Sequence, residues 1–219
     1  MLKRFITNLH ISTKRNYLAR MNDDKIKCMQ EAKKYGKNYW DGNRRFGYGG
    51  YKYIPGRWKP VAEKLIKTYK LKANSKVLDV GCGKGFLLYE MIKIQPKLKI
   101  YGFDISSYAL KRSIKNKRIK MFAHDARKKI LFNNKFFDLA ISINTLHNLQ
   151  VYDLHNSIKE ISRVSKKSFI CVESYRNERE LFNLQCWALT CQSFYNAEEW
   201  KWLFKNYNYK GDYEFIYFE

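Results

Sequence analysis

Val77-Leu78-Asp79-Val80-Gly81-Cys82-Gly83-Lys84-Gly85-Phe86-Leu87-Leu88 decides the fold of this 219-residue chain. An apolar run ends in an acid, three glycines follow at alternate positions, and an apolar, helix-like segment comes next. Glycine serves where a chain turns sharply, takes φ > 0 or lets a ligand approach its backbone. Between a buried strand and a helix N-terminus, such a loop is expected to offer unpaired backbone N–H groups to a ligand. The unit therefore reads as a nucleotide-type site at the end of a parallel strand.

Spacing narrows the ligand. A dinucleotide fingerprint spaces its glycines G-x-G-x-x-G to receive a pyrophosphate, and a Walker loop needs Gly-Lys-Ser/Thr after four spacers. This chain instead reads Asp79-x-Gly81-x-Gly83-x-Gly85. An acid two residues before the first glycine is a poor neighbour for phosphate and suits an ammonium or sulfonium charge. On these residues the chain resembles the class I S-adenosylmethionine-dependent methyltransferases, whose first motif is Asp/Glu-x-Gly-x-Gly-x-Gly. The resemblance implies an α/β fold: a Rossmann-like, doubly wound, mostly parallel sheet. It also implies S-adenosylmethionine as cofactor, held at Asp79, Gly81, Cys82, Gly83 and Gly85.

From Lys76 onward, strands are expected at 76–80, 99–104, 118–122, 136–143 and 168–173, with helices at 85–95, 107–116, 152–164 and 197–206. Asn196 with Glu199 reads as a capping box for the last helix. Such alternation implies a parallel sheet covered on both faces. A last strand is read at 211–219. The family's sheet normally closes with an antiparallel pair, so either residues 184–191 supply another strand or the sheet is shortened.

Ligands bind such sheets outside the carboxyl ends of the strands. Asp104 ends the second strand and can accept both ribose hydroxyls; its competing role is a helix N-cap. Asp104-Ile105-Ser106 matches the family's acid-apolar-Ser pattern, in which Ile105 packs on adenine. The resemblance further implies that Asp125 takes the adenine amino group and the Ala126 N–H a ring nitrogen, with a surface ion pair as the alternative for Asp125. It also implies that backbone at Ile143 or Asn144 holds the methionine amino group.

Methyl transfer requires a nucleophile to be aligned and, where needed, relieved of a proton. His147, just past the fourth strand, is the first candidate base, because neutral imidazole titrates near pH 7. Glu173, at the end of the fifth strand, is the second; a salt bridge with Arg176 or Arg179 is its alternative. Within the aromatic, glycine-rich stretch from Tyr39 to Trp58, residues 46–58 are expected to form a lid. In it Tyr48, Tyr51 and Tyr53 supply hydroxyls or cation–π faces, and Arg57 a bidentate carboxylate partner. Trp40 and Trp58 read as packing. Tyr175, just before a 176–196 substrate insert, and Trp187 within it complete the substrate side.

The chain thus divides into a basic extension, 1–75, and a cofactor-binding domain, 76–219. Residues 22–36 read as a helix capped by Asn22. Leu2, Phe5, Ile6 and Leu9 fall on one helical face within an acid-free, basic stretch. That stretch is a mobile arm, or a helix packing on the domain or on a partner subunit in a homodimer. No apolar run reaches ~20 residues, so no membrane span is expected. Five cysteines without C-x-x-C spacing read as reduced thiols of a cytoplasmic protein with no metal site.

A net charge of +23 raises nucleic acid as a partner. The excess is spread along the chain, with one denser cluster between Lys111 and Lys129, and is read as surface solvation or as steering of an anionic substrate. An RNA methyltransferase is the alternative, but Asn144-Thr145-Leu146-His147 lacks the Pro-Pro signature used for base amines. A non-catalytic module retaining the fold is a third reading, opposed by the intact glycines and Asp104. The N-terminal loop resembles that of methyltransferases found with cell-surface carbohydrate genes, which favours a small-molecule acceptor of sugar or nucleotide-sugar type, methylated on oxygen or nitrogen.

Overall fold

The computed structural model describes residues 1–219. Six strands, β1 (Lys76–Val80), β2 (Lys99–Asp104), β3 (Ile119–Ala123), β4 (Phe137–Ile143), β5 (Ser165–Glu173) and β6 (Asp212–Ile216), form one sheet. Its order is β3-β2-β1-β4-β5-β6, and every neighbouring pair is parallel. Successive strand residues face opposite sides. Val77, Leu139, Ile141 and Phe169 therefore pack on one face, against helices Lys59–Tyr69 and Phe86–Ile94. Leu78, Ala140, Ile170 and Val172 pack on the other, against helices Val151–Val164 and Ala197–Asn206. The strand order reverses between β1 and β4, the point at which doubly wound sheets bind ligands.

Two helices differ from their expected spans. The one expected over 107–116 stops at Lys111, because the chain turns back and the Ile114 N–H bonds the Lys84 carbonyl at 3.2 Å. The one expected over 22–36 is shortened to Lys25–Ala32 and capped by Asp24; Asn22 instead ends a separate helix, Tyr17–Asn22. Short helical turns at Lys37–Asp41 and Arg44–Phe46 interrupt the otherwise irregular aromatic stretch. The capping box is present: the Asn196 side chain accepts the Glu199 N–H at 2.9 Å, and Glu199 accepts the Asn196 N–H at 2.7 Å.

The sheet edge settles the open strand count. Residues 178–187 are helical, so 184–191 supply no strand, and β6 runs parallel to β5. The chain's own start covers the exposed edge of β6. Lys3 donates to the Tyr213 carbonyl at 2.8 Å, and Tyr213 donates to Met1 at 3.1 Å. Glu214, buried in β6, then accepts the backbone N–H groups of Phe5, Ile6 and Thr7 at 2.6 to 3.0 Å. These are the orphan donors at the start of helix Thr7–Ile11. Of the placements expected for the first residues, packing on the domain is the one seen. Phe5 and Ile6 are buried, with the Phe5 ring 5.0 Å from Phe169. The shared helical face is not formed, however: Leu2 and Phe5 precede the helix, Ile6 is its N-cap, and Leu2 is exposed. No helix is long and apolar enough to cross a membrane.

Removing the Glu214 carboxylate strands several buried donors, each costing about 1–3 kcal/mol when unpaired. Glu214→Ala is expected to lower stability by about 3 kcal/mol in urea unfolding, and Glu214→Gln by about half of that, since one acceptor oxygen remains. A loss below about 0.5 kcal/mol for Glu214→Ala would contradict this role.

Candidate active site

The carboxyl ends of β1 to β5 open onto one cavity of about 1090 Å³. Asp79, Asp104, Asp125, Asn144 and Glu173, read from five separate strand ends, all line it, because a parallel register brings those ends to the same side of the sheet. Residues from Ile6 to Trp58 close the opposite wall.

The glycine loop differs from its expected role. Four of its N–H groups are spent inside the protein. Gly81 and Cys82 donate to the Phe103 carbonyl at 2.9 and 3.0 Å, Gly85 donates to Cys82, and Gly83 donates to the Asp104 carboxylate at 2.8 Å. What the loop needs from glycine is conformation and close approach. Gly81 has φ 81°, and a Cβ there would lie 2.1 Å from Thr145 Oγ1. Gly83 has φ 54°, and a Cβ would lie 2.9 Å from the Trp40 ring. Gly81, Cys82 and Gly83 face the cavity; Gly85 caps helix Phe86–Ile94 and lies outside it.

Asp104 accepts the Gly83 and Ser106 N–H groups, one on each oxygen, both at 2.8 Å, which leaves further lone pairs on the cavity side. Burial raises its pKa, and those N–H bonds oppose the rise. The helix N-cap role considered for Asp104 belongs to Ser106. Asp79 has no such donor: burial, with the adjacent Asp104 charge, pushes it up to about 8. Ile105 is half exposed at the cavity wall. Asp125 is gripped by Arg127 through Nε and the terminal nitrogen at 2.6 to 3.0 Å, so the ion-pair alternative is realised inside the cavity lining. The Ala126 N–H has no protein partner. His124 Nε2 and Asn148 Oδ1, both on cavity-lining residues, are buried and also unpartnered.

At the far end, Asn144 takes φ 54° and turns the chain into the segment carrying His147. The Glu173 N–H donates to His147 Nδ1 at 3.2 Å, which puts the proton of the neutral ring on Nε2, 3.4 Å from Glu173 Oε2. Burial pushes His147 down to about 3 and Glu173 up to about 7. His147 therefore has no free nitrogen lone pair at neutral pH, whereas the carboxyl of Glu173 titrates there. The salt bridges considered for Glu173 go elsewhere, since Arg176 pairs with Glu180 and Glu219.

The lid is anchored on the glycine loop. Lys84 Nζ bonds both Asp41 oxygens at 2.6 and 2.7 Å and the Tyr51 carbonyl at 2.7 Å. Trp40 lies on Gly83, donates to Ser106 Oγ at 2.8 Å and stacks on Tyr48. It lines the cavity, as does Trp58, contrary to the reading of both as plain packing. Tyr48, Tyr51, Arg57 and Trp187 also line the cavity. Tyr53 does not, because its hydroxyl is bound to Glu90. Neither does Tyr175, which packs beside Leu184 and Phe218. Sequence reading missed Asp41, Lys84 and a set of arginines, Arg15, Arg20 and Arg44, at the Trp187 end. The acid-free basic run of the first 22 residues was the available signal for two of these.

The chain is similar to known methyltransferases. The methyltransferase-domain family profile matches residues 71–211. The ubiquinone biosynthesis O-methyltransferase of Pelagibacter ubique is 28% identical over 159 residues, 68% of this chain and 64% of that protein. The ribosomal RNA small subunit methyltransferase C of Buchnera aphidicola (subsp. Schizaphis graminum) is 31% identical over 85 residues, 38% of this chain and 25% of that protein. The chain thus spans less than two thirds of the length of either relative. A proposed methyltransferase from Bacillus halodurans of known structure superposes with a TM-score of 0.56 at 19% identity, covering 67% of each chain, which is a likeness of fold. With the family profile running from before β1 to the start of β6, the chain belongs to the class I S-adenosylmethionine-dependent methyltransferase-domain family.

Proposed function

We propose that the chain is a methyltransferase that binds S-adenosylmethionine along the strand ends and methylates a small molecule at the Glu173 end of the cavity. One observation carries the reading: Asp79, Asp104, Asn144 and Glu173 converge on a single cavity. A volume of about 1090 Å³ lies just above the roughly 300–1,000 Å³ typical of one ligand, which supports room for cofactor and a small acceptor together. The chemistry of the donors suits the cofactor. Asp104 keeps lone pairs for ribose hydroxyls, the free Ala126 N–H suits a ring nitrogen, and Ile105 offers an apolar face for adenine. Asp125 reaches an amino group only beside Arg127. Asp79, with no donor of its own, favours a cation.

Bound S-adenosylmethionine supplies an electrophilic methyl on a sulfonium sulfur. Glu173 receives the proton that the acceptor's hydroxyl or amine loses. His147 is a positioning residue, its Nε2–H facing the Glu173 carboxyl and its Nδ1 fixed by the Glu173 backbone. Trp40, Tyr48 and Tyr51 keep water from the cofactor end. The N-terminal wall over the cavity supports a small acceptor over a structured RNA; the ribosomal RNA methyltransferase relatives keep RNA as the second reading. A sugar or nucleotide sugar fits the same cavity.

Three measurements test the reading. Asp104→Asn should weaken S-adenosylmethionine binding in calorimetry by about 100-fold, or ~2.7 kcal/mol, with circular dichroism unchanged; undiminished affinity would remove Asp104 from the site. Asp79, near 8 in the empty protein, is mostly protonated at pH 7, and a cationic ligand favours its ionised form. Binding should therefore release about one proton and tighten as pH rises toward 8. The heat should vary with the buffer's ionisation enthalpy in the wild type and not in Asp79→Asn; buffer-independent heat in both would contradict the assignment. Activity should rise up to tenfold per pH unit below about 7 and level off above, as Glu173 loses its proton. Glu173→Gln should flatten that limb, and an unaltered profile would exclude Glu173 as the base.

A further inference from the structure

Three guanidinium groups gather on one ring at the acceptor end. Arg15, Arg20 and Arg44 lie 5.5, 4.6 and 5.0 Å from the centroid of Trp187. All four residues line the cavity together with Glu173. Arg15 and Arg20 are half-buried, and Arg44 stands at the open rim.

The three arginines are held by carbonyl groups and have no acid partner. Arg20 donates to the carbonyls of Arg44 and Arg45 at 2.7 and 2.8 Å. Arg15 donates to those of Thr13 and His10 at 2.9 and 3.1 Å, and Arg44 to that of Gly47. The Nε atoms of Arg15 and Arg20 are buried without any partner. Other arginines of this chain are neutralised in pairs: Arg45 with Asp23, Arg127 with Asp125, Arg163 with Glu160 and Arg176 with Glu180. At a distance Glu173 acts on Arg15 and Asp23 on Arg20, and Glu173 is itself held half-protonated near neutral pH, with Arg15 the charge opposing its rise. Burial lowers all three guanidinium pKa values, and Arg44 adds to the effect on Arg20.

Like charges gathered away from water are costly unless a counter-charge completes them. Guanidinium forks are built to receive carboxylate or phosphate oxygens. We infer that Arg15, Arg20 and Arg44, oriented by their carbonyl contacts and by Trp187, form an oxyanion site that selects a methyl acceptor bearing a phosphate or carboxylate group. The inference rests on the reading of the cavity as cofactor plus acceptor. It places acceptor selection in the N-terminal extension, which supplies all three arginines.

The test uses the full chain saturated with S-adenosylhomocysteine, titrated by calorimetry with phenyl phosphate, benzoate and neutral benzyl alcohol at low salt. At least one anion should bind at least tenfold more tightly than the alcohol, and the tighter anion identifies phosphate or carboxylate as the preferred group. That preference should shrink as salt is added. In the triple variant Arg15→Gln, Arg20→Gln, Arg44→Gln, anion affinity should fall at least tenfold while S-adenosylhomocysteine affinity stays within twofold. Should the triple variant not fold, the wild-type comparison of anion with alcohol decides alone. No preference for either anion over the alcohol overturns the inference. So does competition between anion and S-adenosylhomocysteine, which would give the arginines to the cofactor's own carboxylate. If S-adenosylhomocysteine fails to bind at all, the cofactor reading fails separately, and the same anion titration of the empty protein still reads the arginine site.

Discussion

Gly83 is held on two sides at once. Its N–H is fixed by the Asp104 carboxylate at 2.8 Å, and its bare Cα face receives the Trp40 ring. The first contact ties the β1 loop to the end of β2. The second ties that loop to the lid, which Lys84 locks again through Asp41. Any side chain at position 83 would push Trp40 off the loop and require an L-residue at positive φ. The cavity exists because this short loop brings the sheet and the N-terminal extension to one point.

This arrangement changes what the glycine motif does. Its amides are not presented to a ligand, because four of them are satisfied by Phe103, Asp104 and Cys82. The acids beside the loop, Asp79 and Asp104, face the cavity instead. Asp104 holds the loop and keeps oxygen lone pairs on the cavity side, while Asp79 has no donor and is pushed up to about 8. Two adjacent buried carboxylates thus stand at the β1–β2 end of the cavity, and an excess of arginine at the β5 end. The two ends of the cavity differ in sign.

The parallel sheet and the strand ends were legible because they are local. Ile100–Phe103 and Phe169–Val172 are uncharged, mostly apolar strand segments that Asp104 and Glu173 follow directly, and Asp79 follows Val77-Leu78. The distinction between His147 and Glu173 was not legible, because it depends on a backbone N–H of one reaching the ring of the other across 26 residues. The sheet edge was hidden for the same reason: Tyr213 pairs with the first residues of the chain, and no periodicity records a contact of that separation. Trp40 and Trp58 looked alike in sequence, yet only Trp40 meets a glycine that leaves room for its ring. Arg15, Arg20 and Arg44 were visible only as positive charge, since the ring that gathers them is more than 140 residues away.

The most direct measurement is a crystal structure of the chain with S-adenosylhomocysteine. The account predicts the ribose hydroxyls on Asp104, the adenine between Ile105 and the Asp125–Ala126 turn, and the sulfur facing the space before Glu173. Density for the ligand outside the cavity, or inside it with the adenine at the Trp187 end, would contradict the account.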